Sequence, residues 1–204
     1  MKAILESGIK ELNLPITETQ INQLIQFIEL IAKWNKAYNL TAVRNNDDMA
    51  RLHILDSLAI LPHIQGKRII DIGTGAGLPG IPLALCLPDI QFTLLDSNAK
   101  KTRFVQQAIL ELQLKNVTVI HNRVEDYQPE IKFDAVLTRA FASLPDIVKL
   151  TAHLLNDNGV LLAMKGQIPE AELTELSDYN CQIIPLNIPN VEAERCLLRL
   201  FKIT

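Results

Sequence analysis

Arg68-Ile69-Ile70-Asp71-Ile72-Gly73-Thr74-Gly75-Ala76-Gly77-Leu78-Pro79-Gly80 is the stretch that decides the fold. A short apolar run reads as a buried strand, and it ends in a glycine-rich loop. Glycines there permit a tight turn and close approach of a ligand to the backbone. A helix is predicted to follow from Pro79 to Leu87, and its first N–H groups lack intrahelical partners. Outward from this unit, four more strands are predicted: Gln91–Asp96, Val117–His121, Phe133–Thr138 and Val160–Lys165. Helices over Asn98–Leu114 and Leu144–Leu155 fall between them. Alternating strands and helices imply a parallel sheet covered on both faces, with right-handed crossovers. Two further runs, Cys181–Ile188 and Arg195–Ile203, read as an antiparallel hairpin at the sheet edge. Sheets of this kind bind ligands at the carboxyl ends of their strands.

Two cofactors compete for the loop. A dinucleotide needs G-x-G-x-x-G directly after the strand. Counted from Gly73, the third glycine position holds Leu78; counted from Gly75, the glycines fall at Gly77 and Gly80, but the motif begins two residues late. The alternative, Asp-x-Gly-x-Gly-x-Gly with Asp71 two residues before Gly73, resembles motif I of class I S-adenosylmethionine-dependent methyltransferases. Asp96 ends the next strand, where a carboxylate accepts hydrogen bonds from ribose hydroxyls. That position serves NAD equally well. The series of strand, Asp71, Asp96 and Val124-Glu125 favours the methyltransferase.

The fourth strand, where acceptor chemistry usually sits in this fold, ends Leu137-Thr138-Arg139-Ala140-Phe141. It lacks the Asn/Asp-Pro-Pro-aromatic motif of amino-group methylation. It has no cysteine for a covalent C5 adduct. A Lys-Asp-Lys-Glu set for ribose methylation is incomplete, with Lys165 present and Arg139 where an acid is expected. An acceptor that already carries a lone pair, such as guanine N7, needs no general base, only alignment and electrostatics.

The remaining composition sets limits. The chain has 204 residues, 48% of them hydrophobic, and a formal net charge of −3. That excludes a surface that is basic throughout, not a local basic face. From Ser97 to Glu125, Lys100, Lys101, Arg103, Lys115 and Arg123 face only Glu111 and Glu125. With Arg139 and Lys165 these form either a rim for phosphates or an ordinary solvated surface. Cys86, Cys181 and Cys196 are far apart and read as small buried hydrophobes, with neither disulfide nor zinc spacing. No apolar run approaches the roughly 18 residues of a membrane span. A cytoplasmic protein with no metal, no membrane contact and a monomeric state is expected.

The first part of the chain is expected to be a helical extension, residues 1–62, ahead of a Rossmann-like unit, residues 63–204. Thr17 and Gln20 match a capping box, with Ile16 and Ile21 as a hydrophobic staple. Ile21, Leu24, Ile25, Ile28, Ile31 and Ala32 then mark a helical packing face. A second helix is predicted from Asp47 to Leu61, before Pro62. Trp34 and Tyr38 pack the core or stack on a base. His53 is either structural or, with Asp56, braces the loop that contains Asn39.

Taken in order, Trp34–Thr41, His53–Ser57, Asp71–Pro82, Leu94–Ser97, Arg123–Glu125, Arg139–Ala142 and Lys165-Gly166 resemble the ribosomal RNA small subunit methyltransferase G family, formerly glucose-inhibited division protein B. The resemblance covers about residues 20 to 203. It implies a class I S-adenosylmethionine-dependent fold with a seven-stranded, mostly parallel sheet. It also implies methylation of N7 of guanine 527, in the 530 loop of 16S rRNA, on the small ribosomal subunit. Gly73, Leu78, Val124, Glu125 and Arg139 are the implied cofactor contacts, joined by Asp71, Gly75, Gly77 and Asp96 from the chemistry above. RNA contacts are expected at Asn39, Lys100, Lys101, Arg103, Arg123 and Lys165. Leu52 stands where members of the family carry a basic residue, with Arg51 beside it. Arg139 has three readings: a charge for the cofactor carboxylate, a group that orients the guanine or a phosphate, or an ion pair with Asp71 or Glu125. A small-molecule methyltransferase and a non-catalytic cofactor sensor remain the rival readings.

Overall fold

The computed structural model describes residues 1–139 and 142–203. Ala140 and Phe141 of the expected motif lie outside the described residues. Strands β1 (Arg68–Ile72), β2 (Gln91–Asp96), β3 (Val117–His121), β4 (Phe133–Arg139), β5 (Leu155–Lys165), β6 (Tyr179–Pro185) and β7 (Cys196–Lys202) form one sheet in the order β3-β2-β1-β4-β5-β7-β6. The first five are parallel, and β7 runs antiparallel between β5 and β6. The order reverses between β1 and β4, so the loops after these two strands diverge and open a crevice. β1 is buried at Ile69, Ile70, Asp71 and Ile72, as a central strand covered on both faces must be.

The helices are α1 (Lys2–Glu11), α2 (Glu18–Tyr38), α3 (Asn46–Met49), α4 (Asp56–Leu58), α5 (Gly80–Cys86), α6 (Ala99–Glu111), α7 (Leu144–Thr151) and α8 (Glu170–Thr174). The capping box at the start of α2 is complete, with Thr17 and Gln20 each satisfying the other's backbone N–H. Gln20 also donates to the Leu85 carbonyl at 3.1 Å, which ties α2 to the end of α5. Ile21, Leu24, Ile28 and Ile31 are buried as the periodicity requires, together with Phe27 and Leu30. Phe27 stacks on Phe104 of α6, and Trp34 lies against the same ring and against Tyr38. Trp34 and Tyr38 therefore pack the core. One hydrophobic cluster runs from α1 and α2 through α5 and α6 into the sheet.

Three boundaries differ from the sequence reading. The helix expected from Asp47 to Leu61 is α3 and α4 joined by a π turn over Ala50–Leu55, then a 3-10 turn over Leu61–His63. β5 begins five residues early, because Leu155 pairs with Phe133 and a register shift absorbs the polar Asn156–Gly159 segment. β6 lies two residues toward the N-terminus of its expected run, since Leu186 and Ile188 pack into the core rather than continue the hairpin.

Candidate functional site

Asp71 is fully buried beneath the glycine loop. Its Oδ2 accepts from Thr74 Oγ1 at 2.7 Å and from the Gly80 N–H at 2.9 Å, joining the two ends of the loop. Its Oδ1 has no hydrogen-bond partner among the described residues. Burial pushes its carboxyl up to about 7, against the pull of these hydrogen bonds and of the Arg139 charge. Two glycines are required by geometry. Gly77 has φ +83°, and a side chain there meets Ile81. Gly80 has no room for a Cβ between Leu94 and Asp71. Gly75 N–H donates to Asp96 Oδ2 at 2.9 Å, so the loop and the end of β2 are locked together. The other oxygen of Asp96 accepts from Asn98 N–H at 2.8 Å, which starts α6.

A cavity of about 420 Å³ lies at the ends of β1, β2 and β3, lined by Ile72, Gly73, Leu95, Asp96, Asn122, Val124 and Glu125, with Lys101 and Arg123 at its edge. The size is that of a ligand cleft. Gly73, Asp96, Val124 and Glu125 therefore come together as expected. Gly75, Gly77 and Leu78 shape the loop without lining this cavity, and Asp71 stands below it as a brace. The carboxylate of Asp96 retains lone pairs beyond the two bonds it makes, so it can accept ribose hydroxyls as well. Apolar walls from Ile72, Leu95 and Val124 suit an adenine ring. The residues present fit an adenosyl cofactor.

A second cavity of about 340 Å³ lies across the β1–β4 crevice. Its walls are Leu52, His53 and Asp56 from the π turn and α4, Arg139 from β4, Lys165 from β5, and Arg195 before β7. π turns inside helices are frequent at functional sites. Here the turn brings Leu52, His53 and Asp56 to one wall. Arg139 does not pair with Asp71 or Glu125. Its Nη1 lies 3.3 Å from Asp56 Oδ2, and Arg195 Nε lies 3.1 Å from Asp56 Oδ1. The buried Asp56 thus carries two guanidiniums. Sequence reasoning named Asp56 only as a neighbour of His53 and did not single out Arg195. The residues are 139 positions apart in sequence, and no local pattern links them.

His53 is 7% exposed. Its Nε2 lies 2.8 Å from Thr41 Oγ1, which also accepts from Val43 N–H at 3.2 Å. The buried Asn35 amide holds the Thr41 and Val43 carbonyls and the Thr41 N–H, fixing that loop. His53 braces this loop through Thr41; Asn39, in left-handed conformation at the end of α2, accepts instead from Arg44. Burial, then the charge of Arg139, holds the His53 pKa below the usual histidine value, against the Leu52 backbone and Asp56.

The expected basic rim separates into two groups. Lys101 and Arg123 edge the first cavity, with Lys100 and Arg103 exposed nearby on α6. Among the described residues, no carboxylate lies within ion-pair distance of Lys100, Lys101 or Arg103. Among the described residues Arg123 pairs with one carboxylate, Glu125, at 3.7 Å. Lys165, by contrast, donates to the Ala142 carbonyl at 2.9 Å and pairs with Glu172 at 3.7 Å. Arg51 pairs with Asp48 and does not reach the second cavity. No helix is long and apolar enough to cross a membrane, among the described residues.

Among solved structures, the chain is similar to the mitomycin 7-O-methyltransferase MmcR, at TM-score 0.63 and 14% identity over 87% of this chain and 60% of that one. It is also similar to a SAM dependent methyltransferase from Aquifex aeolicus, at TM-score 0.58 and 17% identity, covering 74% and 92%. These likenesses carry the fold. In sequence it is 51% identical to the ribosomal RNA small subunit methyltransferase G of Psychromonas ingrahamii over 98% of this chain and 97% of that one. Identity to the same protein of Aeromonas hydrophila is 54%, over 90% and 86%. The family model for rRNA small subunit methyltransferase G matches residues 20–198, and the chain belongs to that family.

Proposed function

We propose that the protein transfers a methyl group from S-adenosylmethionine to N7 of a guanine in 16S rRNA. The observation that carries this reading is the pair of cavities on either side of the β1–β4 crevice, one suited to an adenosyl group and the other polar and cationic. Asp96 holds the ribose, and Ile72, Leu95 and Val124 enclose the adenine. Gly73 and Glu125 serve the rest of the cofactor, with Gly75, Gly77 and Leu78 giving the loop its path, while Arg139 stands on the acceptor side. Asp71 acts through the loop by holding Thr74 and Gly80 N–H in place.

S-adenosylmethionine, when bound, supplies an electrophilic methyl group on a sulfonium. Guanine N7 already presents the lone pair that receives it, so no proton has to be removed. Among the described residues, the one acid lining the second cavity is Asp56, and it suits that demand. Asp56 is ion-paired to two arginines, and Glu172, which pairs with the Lys165 of the cavity wall, is not itself on that wall. Two guanidiniums on one carboxylate favour its charged form, so Asp56 is poorly suited to take up a proton. Catalysis then rests on holding the acceptor in line with the methyl and on electrostatics. The helical extension, residues 1–62, supplies the far wall of the acceptor side. Lys100, Lys101, Arg103 and Arg123 meet RNA phosphates, which position the substrate without reading its sequence.

The test is methyl transfer from labelled cofactor to purified small subunits and to naked 16S rRNA, with nucleoside analysis of the product. The expected result is 7-methylguanosine as the labelled nucleoside. Labelling of another nucleoside, or none with either substrate, overturns the assignment.

A further inference from the structure

The motif Lys165-Gly166 contains a glycine that the backbone does not require. Gly166 is outside the left-handed region. A Cβ built there meets nothing closer than the Glu194 carbonyl at 3.8 Å and Arg195 Nη1 at 4.0 Å, both ordinary contacts. Neither strain nor crowding keeps this position bare. What sets it apart is its place. Gly166 lines the second cavity and also an adjoining side cavity of about 320 Å³. The two share Gly166, Leu186, Arg195 and Cys196.

The side cavity suits a nucleobase. Ile168, Ile183 and Pro185 extend its wall, and the two isoleucines are 45% and 41% exposed. Large apolar side chains left open around one cavity mark a binding surface. Asn187 and Glu194 add polar groups to the same lining. A base has the same division, with apolar faces that stack and a polar edge that hydrogen-bonds. Arg195 belongs to both cavities. Its Nε is held by Asp56 at 3.1 Å and its Nη1 by the Glu194 carbonyl at 2.8 Å, while Nη2 has no partner among the described residues. Asp56 is shared with Arg139, so two guanidiniums meet one carboxylate and leave one positive charge there. Guanidiniums match phosphate oxygens in charge and geometry. A base that enters the second cavity must come from an unpaired segment or be swung out of its stack. Its neighbour then loses a stacking partner, and the two remain joined by one phosphate. A cation shared by adjoining cavities stands where that phosphate must run.

We propose that the side cavity takes the base of a nucleotide adjoining the target guanine, with Arg195 on the phosphate that joins them and Gly166 keeping the passage between the cavities open. The enzyme then grips two successive splayed nucleotides rather than an isolated guanine. The assignment rests on the methyltransferase reading above.

The test removes the base and the cavity separately. Small subunits are reconstituted with 16S rRNA that is intact or carries an abasic site on one side or the other of the methylated guanine. With wild-type enzyme, one of the two abasic sites should lower kcat/KM by about tenfold, the low end of what one stacked base contributes. Gly166→Leu fills the passage. It should lose about as much on intact RNA, and the same abasic site should then cost it little more. A second variant, Ile168→Ser with Ile183→Ser, changes only exposed side chains and should behave the same way. S-adenosylmethionine affinity should stay within about twofold in both. Equal wild-type rates on intact and both abasic RNAs overturn the assignment. An undiminished abasic penalty in either variant that retains cofactor affinity does the same. If the serine variant is slow while abasic sites have no effect, the cavity holds a protein segment of the subunit and the assignment also falls. If wild type transfers no methyl to intact RNA at all, the methyltransferase reading fails and this assignment with it, a result distinct from selective loss on abasic RNA.

Discussion

The two cavities are neighbours built by opposite means. The first is made from three loops, each directly following its own strand, and its essential contacts are backbone ones. The Gly80 N–H rests on Asp71, and the Gly75 N–H on Asp96. The second is assembled from five distant segments and held by side-chain charge, with Asp56 between Arg139 and Arg195. The first is specified by where glycine is required. The second is specified by which charges the fold can bring together. Their failures should therefore look different.

The largest effect on cofactor binding is expected at the glycine loop. In Gly77→Val, a β-branched residue must adopt φ +83° and push into Ile81. The left-handed conformation alone costs about 1–2 kcal/mol, and the clash adds to it. We expect S-adenosylmethionine affinity to fall by about a hundredfold or more by calorimetry, because the loop can no longer follow its path. Near-normal affinity would show that the backbone path is less exacting than the contacts imply.

Asp56→Ala attacks the other region. It leaves two guanidiniums around an empty, largely buried position. Breaking a buried ion pair from one side costs about 3–5 kcal/mol. Urea unfolding should show a loss of that order. Asp56→Asn keeps an oxygen for one arginine and should lose about half as much. Equal losses from both variants would mean that the negative charge, rather than the geometry of its acceptors, dominates the site.

The same contrast explains what could be read from the sequence. The glycine loop, Asp96 and Val124-Glu125 were legible because each lies at a strand end that hydrophobic patterning predicts, within one run of α/β units. The parallel order and the C-terminal hairpin followed from the same alternation. The π turn was not legible. It leaves the apolar periodicity of residues 46–58 intact while rotating Leu52, His53 and Asp56 to face the cavity. Arg195 was hidden because only the insertion of β7 between β5 and β6 carries its loop back to Asp56. The proposed basic rim was legible as composition, but not as pairing: Glu172 lies on α8, a short helix with no clear sequence signal, and it neutralises Lys165.

A smaller effect separates the regions by pH. The carboxyl of Asp71 rises to about 7 when folded, from an ordinary value of 3.8. The folded state therefore holds this proton more tightly than the unfolded chain. Its contribution to stability is complete below about pH 3.8, falls as pH rises toward about 7 and is flat above that. In Asp71→Asn this dependence is absent, while an amide oxygen still accepts from Thr74 and Gly80. Relative to that variant, wild type should lose roughly 2–4 kcal/mol between about pH 4 and about pH 8, measured by urea unfolding. Any such change at the second cavity should have the opposite sign. Burial depresses the His53 pKa, so its contribution is present above about 6.5 and lost on acidification. A parallel pH trend in His53→Gln and Asp71→Asn would erase this distinction.

The smallest effect is on salt dependence, and it tests whether paired and unpaired cations meet RNA differently. A lysine that neutralises one phosphate contributes roughly 0.7–0.9 to the slope of log affinity against log salt. Lys100 is exposed and free of carboxylates among the described residues, so Lys100→Gln should reduce the slope by about that amount. Lys165 already pairs with Glu172 and donates to the Ala142 carbonyl, so Lys165→Gln should change the slope much less. The measurement is small-subunit binding across a salt series. With a net charge of −3, the chain has little general attraction for RNA, and single local cations should be visible above that background. An equal fall for Lys165→Gln would mean that the Glu172 bridge opens when RNA arrives. The acceptor side would then be rearranged by its substrate, while the glycine loop stays fixed by its backbone.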